Sequence, residues 1–454
     1  MITQLFWAFV ALSALLAVKN WRLGLALIIV VGTLQDPVRK MTPGAPAFMV
    51  LSFFPVWIGL MIGIISSHEW PWRSFGTLHP IIQSRIRFFG AAMALATVIV
   101  FQYGFAAWKV AAIGLFTYTV PLMTLMAGFA YARSRVDVSR LIMFYCLITA
   151  VMLVGGVMEV LNLFPQWKAL GTEAMGMHWV RYVSYGHTID LIAGFYRSPD
   201  IMGWHAATLS IFSLTLALYG KAGPRWFWLG LAVWGAFCVF ISGRNKMISM
   251  TVVWVIVVAL LHIYIGRAGR VVTLALAGGI LAFSVLMISG KLNLNSDYDL
   301  YASQLVGGST IMERINRSGT GSVAETFRQS GFFGKGIGTA AQGIQYLGLP
   351  IKRSWQEGGA AKILVELGVT GFIAAILVAW ATARATLLTI RYSRSKGTLS
   401  PLQLGLAAYI PANIANFIIS QQAYSDGLIM VVVATALGMM LSSPYWLQLQ
   451  RQDT

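Results

Sequence analysis

The chain has 454 residues, 57% of them hydrophobic and only 11% charged, with a mean hydropathy of +0.72. Soluble domains run at about 45–50% apolar and about 25% charged, so a water-soluble enzyme and a disordered scaffold are excluded. The net charge of +18 does not point to nucleic acid, because Lys and Arg sit singly or in small groups between long apolar runs. That distribution belongs to a polytopic integral membrane protein.

A membrane-crossing helix needs about 20 mostly apolar residues. Such runs lie at 3–18, 22–35, 46–66, 88–103, 105–130, 141–163, 201–220, 226–242, 247–265, 271–290, 360–382, 402–420 and 427–442. The first two are short and read as a tight hairpin or as one broken element, so about 12–14 helices are expected. The opening segment reads as a retained helix and not a cleaved signal, since no soluble domain follows it. The chain is expected to be a single all-α membrane domain, 1–454, with two long loops at 164–200 and 291–359.

Positive charge in short loops sets the orientation. If the loop bearing Arg133, Arg135 and Arg140 is cytoplasmic, alternation places Lys19/Arg22, Arg73/Arg85/Arg87, Lys221/Arg225, Arg267/Arg270 and Arg384/Arg391/Arg394/Lys396 on the same side. Both long loops then fall on the outer face. They too are basic, carrying Lys168, Arg181, Arg197, Arg314, Arg317, Arg328, Lys335, Lys352 and Arg353. A polyanionic ligand handled outside accounts for that excess, and contact with anionic lipid headgroups is the competing account.

Several chemistries lack their residues. Cys146 and Cys238 lie inside apolar runs, which argues against a disulfide framework or a cysteine metal site. The stretch Gly331-Phe-Phe-Gly-Lys-Gly-Ile-Gly-Thr339 lacks the spacing of a nucleotide phosphate loop, and neither HExxH nor a histidine cluster occurs. Glu159 and Glu366 are the acids well inside apolar runs, and the sequence gives neither an evident partner in the membrane. Transporters usually carry more intramembrane charge.

Four patterns follow one another in order. They are Gly194-Phe-Tyr-Arg-Ser-Pro-Asp200-Ile-Met-Gly203 and the turn Ile241-Ser-Gly-Arg-Asn-Lys246. Then come the stretch from Glu313-Arg-Ile-Asn-Arg317 to Gly331–Gly338, and Glu366-Leu-Gly-Val-Thr-Gly371. Over roughly residues 181–375 this series resembles the O-antigen ligase and polymerase superfamily of membrane glycosyltransferases. The sequence departs from that pattern twice. Gly243 stands between Ser242 and Arg244, and Ser354-Trp-Gln-Glu-Gly-Gly-Ala360 lacks the histidine that ligases carry before the Glu-Leu-Gly helix. The second departure favours a polymerase of repeat units.

The resemblance implies a GT-C-like fold in a bacterial inner (cytoplasmic) membrane, with the active site facing outward. It implies an enzyme that polymerises polyprenyl-pyrophosphate-linked oligosaccharide repeats, with the growing chain as donor and the new repeat as acceptor. The alternatives are a ligase moving glycan to lipid A core or protein and, from another class, a glycolipid transporter. Membrane lipids, a chain-length regulator and a flippase are the implied partners, with no cofactor, no metal and no nucleic acid.

The departing pyrophosphate gathers negative charge, and Arg suits it because its guanidinium forks onto phosphate oxygens and stays protonated. Arg244, at a helix end, and Arg314 are the candidates for that role, with Glu357 as the candidate base for the acceptor hydroxyl. Glu313, Glu325 and His187 are rivals to Glu357, and Arg244 also reads as an arginine snorkelling to the interface. Arg181, Arg197, Lys246, Arg317, Arg328 and Lys335 are the candidate substrate-binding residues. Trp179, Tyr182, Tyr185, Tyr196, Tyr298, Tyr346 and Trp355 suit stacking on sugar rings or an interfacial belt equally well.

Overall fold

The computed structural model describes residues 1–161, 163, 179–184, 187–266, 278, 321–342, 344–347, 354 and 356–443. The expected span at 271–290 and the residues Arg314 and Arg317 lie outside them. The helices, in chain order, are α1 (Ile2–Lys19), α2 (Trp21–Met41), α3 (Phe53–Ser66), α4 (Trp72–Leu78), α5 (Pro80–Val100), α6 (Trp108–Tyr131), α7 (Arg135–Met152) and α8 (Val154–Val160). A two-stranded hairpin follows, β1 (Val180–Ser184) and β2 (His187–Asp190). The chain continues with α9 (Pro199–Tyr219), α10 (Arg225–Ile241), α11 (Asn245–Tyr264), α12 (Gly321–Ser330), α13 (Gly359–Ser395), α14 (Pro401–Ile419) and α15 (Gly427–Leu441).

Among the described residues, 10 helices are long and apolar enough to cross a membrane, and α10 and α15 are shorter apolar helices. The protein is a polytopic all-α membrane protein. Each expected span inside the described residues overlaps a helix. The first two runs are separate helices that pack on each other and turn at Asn20, whose side chain caps α2 by accepting from Leu23 N at 3.2 Å. Helix α2 runs to Met41, well past the apolar run, because Asp36, Arg39 and Lys40 find partners inside the protein.

The chain divides into two compact units. One comprises Met1–Glu69, Ser134–Gly308 and Ser400–Ala412; the other comprises Trp70–Arg133, Ser309–Leu399 and Asn413–Thr454. In the first, α9 is the central helix and packs against α7, α10 and α11. Of its most apolar window 94% is buried, so it faces protein on all sides, as an all-round apolar helix must. Its N-terminus is defined by Ser198, which caps Ile201 N, and by Pro199 in the first turn. The hairpin pairs Val180 with Asp190 and Arg181 with Ile189.

The second unit holds α5 against α13 and α6 against α15. Phe89, Met93, Val110, Tyr118, Ile337 and Leu367 belong to its buried core. His79, between α4 and α5, is buried against Phe75 and Phe129 and hydrogen-bonds Leu441 O through Nε2 at 2.9 Å. Burial holds its pKa below the ordinary 6.5, with the Leu441 carbonyl opposing that shift in part. The neutral imidazole is therefore the folded form. Its contribution to stability is present above pH 6.5 and lost as pH falls through the lowered folded value. The thermal unfolding midpoint should fall on acidification below pH 6.5, and His79→Asn should lose part of that dependence. An unchanged pH profile in the variant would contradict the assignment.

Candidate functional site

In the first unit, the turn between α10 and α11 lies against the start of α9. Gly243 adopts φ +66, and a Cβ there would run into Leu191, so the turn requires glycine. Gly203 of α9 leaves room for the turn, since a Cβ would come within 2.8 Å of Ser242 Oγ. The next residues carry the charge. Arg244 Nη2 lies 3.0 Å from Asp200 Oδ2, and Lys246 Nζ lies 2.5 Å from Asp200 Oδ1. Asp200 sits in the first turn of α9 with 3% exposure, where the helix N-terminus also favours its negative charge.

Two further groups complete this cluster. The Arg244 guanidinium carbon lies 5.5 Å from the centroid of the Trp179 ring. Arg181 of β1 donates from Nη1 to Gly243 O at 3.0 Å, tying the hairpin to the turn. Among the described residues, the Arg244 Nε and Asn245 Oδ1 atoms are buried without a hydrogen-bond partner. Such atoms usually have partners, so the turn retains unused polar capacity.

The loop leading into α9 is seated by buried charge. Glu159 of α8 accepts from Ala193 N at 3.1 Å and from Gly194 N at 2.5 Å, while Lys40 of α2 donates to Gly194 O at 2.6 Å. Arg197 donates its backbone N–H to Asp36 Oδ2 at 3.1 Å and its Nη1 to Asp36 Oδ1 at 3.2 Å. Glu159 thus has partners that the sequence did not reveal, and Arg197 is paired with Asp36 in this loop.

In the second unit, the glycine-rich stretch is threaded through a break in α13. Gly368 leaves the helical region, with φ 66 and ψ −168. Val369 N donates to Phe332 O at 2.9 Å, and Lys335 N donates to Val365 O at 2.6 Å. The loop therefore takes over hydrogen bonds that the broken helix gives up. Gly334, Gly336 and Gly338 all have positive φ and lie against backbone of α13, α5 and α6 respectively. Glu366, fully buried, accepts from Tyr118 OH at 2.6 Å and from Ala340 N at 3.0 Å. It too is partnered, contrary to the reading from sequence.

The remaining candidates fall in the second unit. Lys335 Nζ donates to Ser354 Oγ at 3.1 Å. Arg328 is solvent-exposed on α12, 3.9 Å from Glu325, a contact worth little. Glu357 is exposed, and its backbone O accepts from Gln421 N at 2.8 Å. Side chains between 182 and 187, including His187, are not described. His205 is 1% exposed inside α9, bonded to Tyr145 OH at 2.7 Å through Nδ1 and stacked on Tyr196.

The first pattern thus meets the second around Asp200, and the glycine-rich part of the third, 331–338, meets the fourth around Gly368. Asp200 is the carboxylate of the Arg244–Lys246 cluster that sequence reasoning did not single out. Its signal was the Ser-Pro-Asp start of α9, which fixes a carboxylate at a helix N-terminus. The chain matches no protein-family model and no curated protein.

The threaded loop gives a direct stability test. Gly336→Ala places a Cβ 2.6 Å from Val100 N at φ +97, so it should lower unfolding free energy by roughly 1–3 kcal/mol or more. Gly90→Ala, on α5 with open space around it, should be near neutral or slightly stabilising. Equal unfolding midpoints for the two variants would contradict the threading.

Proposed function

We propose that the protein is a membrane glycosyltransferase that joins polyprenyl-pyrophosphate-linked oligosaccharide repeats at the outer face of the cytoplasmic membrane. The observation that supports this reading best is the Arg244–Lys246 pair fixed on Asp200 at the junction of three membrane-length or near-length helices, α9, α10 and α11. In the reaction, the bond between the donor's anomeric carbon and a pyrophosphate oxygen breaks, and the acceptor hydroxyl oxygen forms the new glycosidic bond. The electron pair of the broken bond stays on the pyrophosphate. Arg244 and Lys246 are the groups to receive that charge, because they are already oriented and need little reorganisation. Asp200 and the Trp179 face hold the guanidinium in place, so Asp200 is a positioning residue. The acceptor proton leaves to solvent as the glycosidic bond forms.

The departing group sets the energetics. The pyrophosphate linkage already stores the driving force, so neither ATP nor an ion gradient is needed. Purified protein in detergent, given only lipid-pyrophosphate-linked repeats, should lengthen the glycan and release lipid pyrophosphate. Arg244→Ala should lower turnover by roughly 10²-fold or more, as loss of one fixed electrostatic donor does, and Arg244→Lys should restore little because a point charge lacks the fork. Glycan that stays covalently unchanged would support a transporter instead. Donor consumed only after a foreign acceptor is added would identify a ligase.

A further inference from the structure

Positive charge gathers at the end of the second unit farthest from the glycine-rich stretch. Helices α5 and α13 run antiparallel there. The close of α5 and the early part of α13 both meet that stretch, with Gly336 against Val100 and Gly334 against Val365 and Gly368. The close of α15 ties their other ends together. Leu441 O is bonded to His79 Nε2 at 2.9 Å, and Ser443 Oγ lies 3.3 Å from Ser393 Oγ. Arg85 stands 15 residues before Val100 and Arg384 stands 16 residues beyond Gly368. With the rise of an α-helix, both therefore lie roughly 23 Å from the glycines, at one depth. Arg87 is beside them on α5, and Arg391, Arg394 and Lys396 follow on α13.

The acids described in this unit lie toward the opposite end. Asp426 caps the start of α15, Glu366 holds Ala340 N, and Glu357 precedes α13. Glu325 neighbours Thr326, whose hydroxyl reaches Gln356. Among the described residues, Arg85, Arg87 and Arg384 accordingly make no ion pair. Arg85 Nε is buried without a hydrogen-bond partner. Arg87 and Arg384 lie over the rings of Trp72 and Trp380, at 5.8 and 5.6 Å from the centroids. A ring face steadies a guanidinium but leaves its in-plane N–H donors unused.

The surroundings of Arg384 supply a second, independent observation. Ile373, Ile376, Trp380, Leu387 and Leu388 are large apolar side chains exposed on α13. They recur at helical spacing on both sides of Arg384, which is itself exposed, so the arginine belongs to a lipid-facing stripe. A charge in such a stripe is costly unless an opposite charge comes to it, and here the protein offers none.

We propose that this face of α13, together with the start of α5, binds an anionic phospholipid. The acyl chains lie along Ile376 and Trp380, and the headgroup phosphate is drawn to Arg384, with Arg85 and Arg87 at the same depth. A headgroup of net negative charge is preferred to a zwitterionic one, because several cations face it and the ammonium of a choline headgroup finds no acid there. The site does not depend on the glycosyl transfer proposed above.

The test presents the full-length protein in detergent with equal amounts of dioleoylphosphatidylglycerol and dioleoylphosphatidylcholine, and reads the retained lipid by native mass spectrometry. Wild type should retain mainly phosphatidylglycerol. The Arg87→Gln/Arg384→Gln variant should lose about tenfold of that preference, since each arginine near an anionic headgroup contributes to it. Lys221→Gln, which removes an exposed cation of the first unit, should leave the preference unchanged. Equal retention of the two lipids by wild type, an unchanged preference in the double variant, or an equal loss in Lys221→Gln would overturn the proposal. Hydrogen exchange on wild type covers the case in which the double variant fails to fold. Phosphatidylglycerol, compared with phosphatidylcholine, should slow exchange of the amides at 389–396, and identical exchange in the two lipids would overturn the site.

Discussion

A charged or hydrogen-bonding group sealed inside an apolar protein must find a partner there, since no water is at hand to serve it. Most of this chain meets that demand with helices. Among the described residues, two irregular segments are held instead by carboxylates of neighbouring helices. Glu159 takes the amides of Ala193 and Gly194, Asp36 takes that of Arg197, and Glu366 takes that of Ala340. The result is non-helical backbone fixed at positions set by rigid helices.

That constraint explains why the charged side chains are not scattered. Asp200 faces two cations, Arg244 and Lys246, and is itself held by the N-terminal turn of α9. Removing the carboxylate would take a close counter-charge away from two partly buried cations, which is costly. An arginine merely reaching for the membrane surface needs no such partner. The ion pairs therefore weigh against the snorkelling account of Arg244 and toward a preoriented anion-binding role.

Much of this was legible in the sequence. Hydropathy located the helices because a lipid-facing or fully buried helix must be apolar along its length, and glycine spacing marked the stretch at 331–338. The course of α2 past residue 35 was not legible, because Asp36, Arg39 and Lys40 read as the end of a span until their partners are known. The partners of Glu159 and Glu366 were hidden for the same reason: backbone amides and a tyrosine far along the chain supply them. Arg197 is a third case: its pairing with Asp36, 161 residues earlier, was not legible either.

The central claim is that Asp200 acts through the cations that it orients. The most direct measurement is a mutant cycle on turnover of lipid-pyrophosphate-linked repeats, with Asp200→Asn, the Arg244→Ala/Lys246→Ala double variant and the triple variant. If the carboxylate works only by positioning the two cations, the triple variant should lose little more than the double variant. Losses that multiply, Asp200→Asn costing its full factor with both cations already gone, would contradict the account.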